Sequence, residues 1–274
     1  MSDIKILFSD LDGTLLDDDK NVSAEDLGSI NEMIGAGHRF VIATGRPVYS
    51  AKVVAHELGL YRDGIFLACS NGGVIYDCGS DRTISANTLD TDTVRLLFEA
   101  ATKEGLHIHT YTDDNVVSLR KTPELVGYCK AIKMPYALLE RIPEDLPGLP
   151  PKLVVMSVKD NSRALLKDFK NRHAAFVDGR AHSVFSNNWL LEYLPPGVSK
   201  GNALRTLCKI MGIPIENSIA AGDEANDISM LDAAGLGVVM KNGTAEAREH
   251  AGYVTERTNN ESGMSEIIRK YILT

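Results

Sequence analysis

Short apolar runs alternate with helical stripes at both ends of this chain, and the links between them are short enough to force parallel strand pairing. Ile4-Lys5-Ile6-Leu7-Phe8-Ser9 stops at Asp10-Leu11-Asp12-Gly13, a buried strand feeding a loop. Ser23 can cap a helix whose stripe is Leu27, Ile30, Met33 and Ile34, with Gly35 or Gly37 to end it. Residues 39–44 form a second strand. Pro47 suits the first turn of a helix carrying Val48, Ala51, Val54 and Leu58, and Ile65–Cys69 is a third strand. Parallel strands joined by right-handed helical crossovers make an open α/β sheet of Rossmann-like type.

The alternation resumes after residue 200, with helix at 200–211, strand at 218–221, helix at 224–234, strand at 236–240 and a closing helix at 261–272. Between these halves the pattern changes. Helical stretches at 91–104 and 162–171 mix with strand-like runs at 106–111, 153–158, 182–185 and 189–193, which reads as an inserted α+β module. Asp77-Cys78-Gly79-Ser80-Asp81 and Pro195-Pro196-Gly197 read as its linkers. The expected division is therefore 1–83 with 196–274 for the sheet domain and 84–195 for the insert.

Composition limits the partners. The chain has 274 residues and a formal net charge of -8, a balance that repels nucleic acid and anionic lipid. No apolar run is long enough to cross a bilayer. Cys69, Cys78, Cys129 and Cys208 form no C-x-x-C pair and no secretory segment precedes them, so reduced cysteines in a cytoplasmic protein are expected. A monomer or a weak homo-oligomer is the expected state.

The chemistry sits at the strand ends, where open α/β sheets bind ligands. Asp10 and Asp12, two apart on extended backbone, project the same way, and Gly13 lets the chain turn beside them. An acidic turn that binds nothing would look the same. Asp223, at a second strand end, adds the separate oxygen ligand that a hard divalent cation needs, although it could equally cap a helix. Thr44-Gly45-Arg46 ends a strand and opens a helix, so a hydroxyl and backbone N–H groups can cradle an anion, and Lys200 can neutralise a phosphoryl oxygen.

The set Asp10-Leu11-Asp12-Gly13-Thr14-Leu15-Leu16, Ala43-Thr44-Gly45-Arg46, Lys200-Gly201 with Ala203-Leu204, and Gly222-Asp223 with Asn226-Asp227 resembles the four motifs of the haloacid dehalogenase superfamily. Their order and the long gap before Lys200 resemble its Cof-type sugar-phosphatase branch, whose α/β insert is a C2-type cap; Asn71-Gly72-Gly73 and Asn242-Gly243 are similar to features of that branch. The resemblance implies a magnesium-dependent phosphatase acting on a small phosphorylated metabolite. It implies Asp10 as nucleophile and Mg2+ ligand, and Asp12 as general acid/base with its carbonyl on the metal. Asp223 becomes a metal ligand supported by Asp227, and Leu11, Thr44, Gly45, Lys200 and Asn226 become phosphate contacts. The cap becomes a lid that selects the leaving group.

Other residues are open to two readings. Arg46 could contact substrate or form a surface ion pair. His107 and His109 share a strand face and could form a metal pair, but lack a third ligand and read better as solvent-facing. Trp189 and Tyr193 read as cap core. A phosphoaccepting receiver, a sugar-phosphate-binding protein and a phosphomutase would want a similar residue set. Asp12 favours turnover over a persistent phosphoryl mark, and the insert is foreign to a receiver.

Overall fold

A computed structural model describes residues 4–273. Contacts divide the chain into two units. One comprises Met1–Arg46, Ala51–Ser85 and Ser199–Thr274, the other Pro47–Ser50 and Ala86–Val198, each taken over its described residues.

The chain begins with β1 (Ile6–Asp10), α1 (Ala24–Gly35), β2 (Arg39–Ala43), α2 (Val48–Glu57), β3 (Ile65–Cys69), β4 (Val74–Asp77) and β5 (Arg82–Ala86), which lie in the first unit except for the first three residues of α2 and the last of β5. The second unit contributes α3 (Thr91–Lys103), β6 (His107–Tyr111), β7 (Val116–Ser118), α4 (Pro123–Ala131), β8 (Tyr136–Leu138), β9 (Leu153–Met156), α5 (Ser162–Val177), β10 (His182–Asn187) and β11 (Leu190–Leu194). The first unit then resumes with α6 (Lys200–Met211), β12 (Ser218–Gly222), α7 (Ile228–Leu231), β13 (Leu236–Val239), α8 (Ala245–Arg248), β14 (Tyr253–Val254) and α9 (Gly263–Tyr271).

The sheet of the first unit has the order β14-β13-β12-β1-β2-β3-β4-β5 and is parallel from β14 to β3. Strands buried on both faces need continuous apolar runs, and β1, β2 and β3 are such runs. On one face Ile6, Phe8 and Val41 meet Leu204 and Leu207 of α6 and Met230 of α7. Burying Phe8 completely contributes about 1.5–3 kcal/mol. Elsewhere α1 joins α9 through Ser29 Oγ and Ser265 Oγ, 2.8 Å apart, and through the Ser265 N–H, which donates to buried Asp26.

Strand order reverses at β1, which has β12 on one side and β2 on the other. Asp10 pairs with Ala43 and Ser9 with Ala221, so Thr44 and Asp223 emerge beside Asp10. This is the topological switch point of a doubly wound sheet.

Two expectations change here. The Asp77–Asp81 stretch is not a linker but the turn between β4 and β5, where Asp77 accepts from the Gly79 N–H and the Ser80 hydroxyl. The helix expected at 224–234 is a 3-10 turn, Ala225–Asp227, followed by the four residues of α7.

The second unit has a sheet of order β10-β11-β9-β6-β7-β8, with antiparallel pairs except between β7 and β8. Alternation assigns its faces. Ile108, Leu153, Val155, Leu191 and Tyr193 pack with α3 and α5, while Tyr111, Val154 and Met156 pack with α4. Asp90 caps α3 and Thr122 caps α4.

His107 and His109 lie on the α4 face, 3% and 0% exposed, so the solvent-facing reading is wrong. They form a chain: Thr122 Oγ1 to His107 Nδ1 is 3.0 Å, His107 Nε2 to His109 Nδ1 3.0 Å, His109 Nε2 to Tyr111 Oη 3.2 Å, and Tyr111 Oη to Tyr128 Oη 2.6 Å. Every ring nitrogen is occupied, so they offer a metal nothing. Trp189 is corrected too. It lies between β10 and β11, 40% exposed, whereas Tyr193 is in the core.

Candidate active site

The ten residues expected at the catalytic, metal and phosphate positions all belong to the first unit. Asp10 ends β1, 7% exposed. The chain then turns through Gly13, at φ +83°, where a Cβ would overlap the Asp223 carboxylate. Only glycine permits that approach. Thr14 Oγ1 donates to Asp223 Oδ1 at 2.8 Å, and Asn242 Nδ2 pins the turn through the Gly13 carbonyl at 2.8 Å.

Lys200 opens α6 behind the Ser199 cap and is 2% exposed. Its ammonium donates to Asp10 Oδ1 and, at 2.6 Å, to Asp227 Oδ1. Gly201 lets α6 reach this depth, because a Cβ there would strike the Ser229 carbonyl. Asp227 Oδ2 accepts the backbone N–H groups of Asp223 and Glu224 at 3.0 and 3.2 Å. Both Asp227 oxygens are therefore committed to shaping the loop and holding the lysine. Capping and site-building coexist there.

Carboxylate oxygens of Asp10, Asp223 and Asp227 lie within 4.8 Å of one another. Three buried acids face one ammonium, leaving negative charge uncompensated. Asp10 Oδ2 and Asp223 Oδ2 take no hydrogen bond among the described residues. Hard oxygen donors with excess negative charge fit a hard divalent cation. Burial pushes Asp10 up to about 7, with Lys200 pulling it down and Asp227 and Asp223 adding to the rise. Burial likewise lifts Asp223 to about 6, with the Thr14 hydrogen bond opposing and Asp227 and Glu224 adding. For Lys200 burial acts downward, but Asp10 and Asp227 outweigh it and hold its proton on.

Asp12 lies outside this knot, its side chain 47% exposed. Lys20 Nζ is 2.8 Å from Oδ1 and an Arg46 nitrogen 3.4 Å from Oδ2. Burial works to raise the Asp12 carboxyl, yet the two cations prevail and hold it below its ordinary range. Arg46 thus takes the ion-pair reading, on the acid/base candidate itself. Thr44 is buried, and its Oγ1 accepts the Arg46 N–H at 3.2 Å, keeping its own proton to donate. Leu11 is buried, Gly45 follows Thr44, and Asn226 is exposed on the 3-10 turn.

Two further residues, Thr14 and Lys20, belong to the site. Thr14 stood inside a quoted motif with no role. Lys20 follows three aspartates and has no signal of its own. A tight turn, in which the Asp17 N–H donates to the Asn21 carbonyl and the Asn21 N–H to Asp17 Oδ1, carries Lys20 at φ 65° back onto Asp12.

Comparison with known proteins places the chain in a family. A family model described as haloacid dehalogenase-like hydrolase matches residues 7–268. A 5-amino-6-(5-phospho-D-ribitylamino)uracil phosphatase of Bacillus subtilis, YwtE, is 28% identical over 284 residues, covering 97% of each chain. A provisionally named phosphatase of Streptococcus pyogenes serotype M6 is 30% identical over 272 residues, covering 98% of this chain and 99% of its own. A haloacid dehalogenase-like hydrolase from Bacteroides thetaiotaomicron superposes with TM-score 0.88 at 29% identity, over 97% of this chain and 99% of its own. With the motif residues gathered at one switch point and the match running almost end to end, the chain belongs to the haloacid dehalogenase-like hydrolases.

Proposed function

We propose that this protein is a Mg2+-dependent phosphatase of small phosphorylated metabolites, sugar phosphates among them, working through an aspartyl phosphate on Asp10. The observation that carries the reading is the buried knot in which Lys200 joins Asp10 to Asp227 while Asp10 Oδ2 and Asp223 Oδ2 stay open.

Asp10 Oδ2 attacks phosphorus, and the bond to the leaving oxygen breaks as Asp12 gives that oxygen its proton. Asp12, now a carboxylate, takes a proton from the water that attacks the same phosphorus. The Asp10–phosphorus bond breaks and phosphate departs. Lys200, the Thr44 hydroxyl and backbone N–H groups of Leu11, Gly45 and Asn226 hold the equatorial oxygens. Mg2+, held by Asp10, Asp223 and the Asp12 carbonyl with Asp227 in support, supplies charge neutralisation when bound. The ribityl phosphate named for the Bacillus subtilis relative is an alkyl phosphate on a polyol chain, which supports this substrate class.

Four free, buried cysteines support a reducing, cytoplasmic setting. No helix among the described residues is long and apolar enough to cross a membrane, and the acidic balance supports neither nucleic acid nor anionic lipid as partner. A monomer or weak homo-oligomer suffices, because the proposed site residues all come from one chain.

Phosphate release from a panel of sugar and polyol phosphates tests the reading. Activity should vanish in EDTA and return with Mg2+. Asp10→Asn should be nearly inactive, and near-normal turnover by it would refute the covalent route. Transfer of the phosphoryl group to sugar instead of water would favour the phosphomutase reading.

A further inference from the structure

The second unit contains a pocket of its own, about 610 Å³ in volume, walled by α4, the end of β9, the approach to α5 and the turn between β10 and β11. That volume is typical of small-molecule sites.

One wall is apolar, from Tyr128, Met156 and Trp189. The Tyr111 hydroxyl fixes Tyr128 at the end of the buried histidine chain. Trp189, the only tryptophan in the sequence, is 40% exposed, an aromatic surface the core leaves unused. Along α4, Glu124, Gly127, Tyr128 and Ala131 fall on one face by their spacing. A Cβ on Gly127 would meet nothing within 4 Å, so the space over the helix is open.

The remaining lining is polar in both senses. Glu124 brings a carboxylate, Lys159 an ammonium and Asn188 a neutral amide that can both donate and accept. A hydrocarbon would make no use of these partly and fully exposed polar groups. A polyol would leave the aromatic wall unused. A flat heteroaromatic ring, with a π-face and with donors and acceptors along its edge, satisfies both walls.

We infer that this pocket binds a nucleobase-like heteroaromatic ring, stacked on Trp189 with its edge toward Glu124, Lys159 and Asn188. The inference does not rest on the phosphatase reading, since it asks for the ring alone.

Because Trp189 is the sole tryptophan, its emission reports occupancy directly. Uridine and adenosine, which carry no phosphate, should change it saturably with Kd at or below about 1 mM, while sorbitol should not. Gly127→Phe fills the open space and should weaken binding at least about tenfold with unchanged circular dichroism. Should that variant misfold, Trp189→Ala read by calorimetry must show a similar loss. Saturation-transfer NMR on the native protein needs no variant and should label the ring protons of uridine more than its ribose protons. A non-saturable response, equal response to sorbitol, or undiminished affinity in a folded Gly127→Phe protein overturns the inference.

Discussion

Mg2+ binding should be strongly pH-dependent, and the size of the effect follows from the buried acids. Without metal, burial holds Asp10 at about 7 and Asp223 at about 6, so both carry protons in mildly acidic solution. A cation must displace those protons. Between about pH 7.5 and about pH 5.5 the ionised fraction of Asp10 falls about 25-fold and that of Asp223 about fourfold. Together these weaken Mg2+ binding on the order of 100-fold, or roughly 3 kcal/mol. Calorimetry at pH 6 in buffers of different ionisation enthalpy should count about one to two protons released per ion.

The stability of the metal-free protein should move the opposite way. Asp10 is at about 7 when folded against an ordinary 3.8. Between those values the folded state binds more protons than the unfolded one. Stability is then lost as pH rises through that window, by on the order of 4 kcal/mol from this group. Asp10→Asn should abolish that loss, and Mg2+ should reverse it in the native protein. Thermal denaturation of both proteins, with EDTA or Mg2+, reads the difference. Flat Mg2+ affinity across this range with no proton release would refute the charge argument.

Three further outcomes follow from other residues. Gly13→Ala must adopt a positive φ and push its Cβ against Asp223, so it should cost about 1–2 kcal/mol from the backbone alone and also weaken Mg2+ binding, both read by urea denaturation with and without the ion. Lys152→Met removes the ammonium 3.0 Å from the Glu192 carboxylate, which is 5% exposed; it should cost about 3–5 kcal/mol, while Lys152→Met with Glu192→Leu recovers most of it, and additive costs would disprove the coupling. His109 is held well below its ordinary value by burial, with His107 and Lys152 adding to the effect, so this group removes stability as pH drops below 6.5, against the gain from Asp10; His109→Gln keeps hydrogen bonds without titrating and should be less destabilised by acid than the native protein, relative to each one's stability at neutral pH, in Trp189-monitored melting.

The parts legible in the sequence are those whose physics is local. β1, β2 and β12 are apolar runs ending at Asp10, Thr44 and Asp223, so strand, turn and chemistry sit in consecutive residues. The β4–β5 hairpin was lost because its Gly-Ser-Asp turn looks like a linker until the strands pair. α4 was lost because its buried Leu125, Tyr128 and Cys129 make too short a stripe, and with it went the burial of His107 and His109. β7 and β8 are three residues each and owe their form to neighbours. Lys20 was invisible for another reason. What places it on Asp12 is a backbone turn with φ 65°, which the run of aspartates before it does not announce.

Asp10 and Asp12 are held in ionisation states opposite to those the proposed reaction needs. Burial and two acidic neighbours work to protonate Asp10, which must attack as a carboxylate. Lys20 and Arg46 work to deprotonate Asp12, which must deliver a proton. Paired groups pushed in opposite directions are how a fold divides acid and base roles, and here the division is inverted in the free protein. A divalent cation on Asp10 and Asp223 corrects the first half by favouring the carboxylate. A phosphate dianion corrects the second, because its charge competes with Asp12 for Arg46 and Lys20 and itself favours a protonated Asp12. Neither correction occurs without its ligand. On the proposed mechanism the site would therefore become reactive only with metal and substrate both bound, and the surplus of buried negative charge would keep it inactive until then.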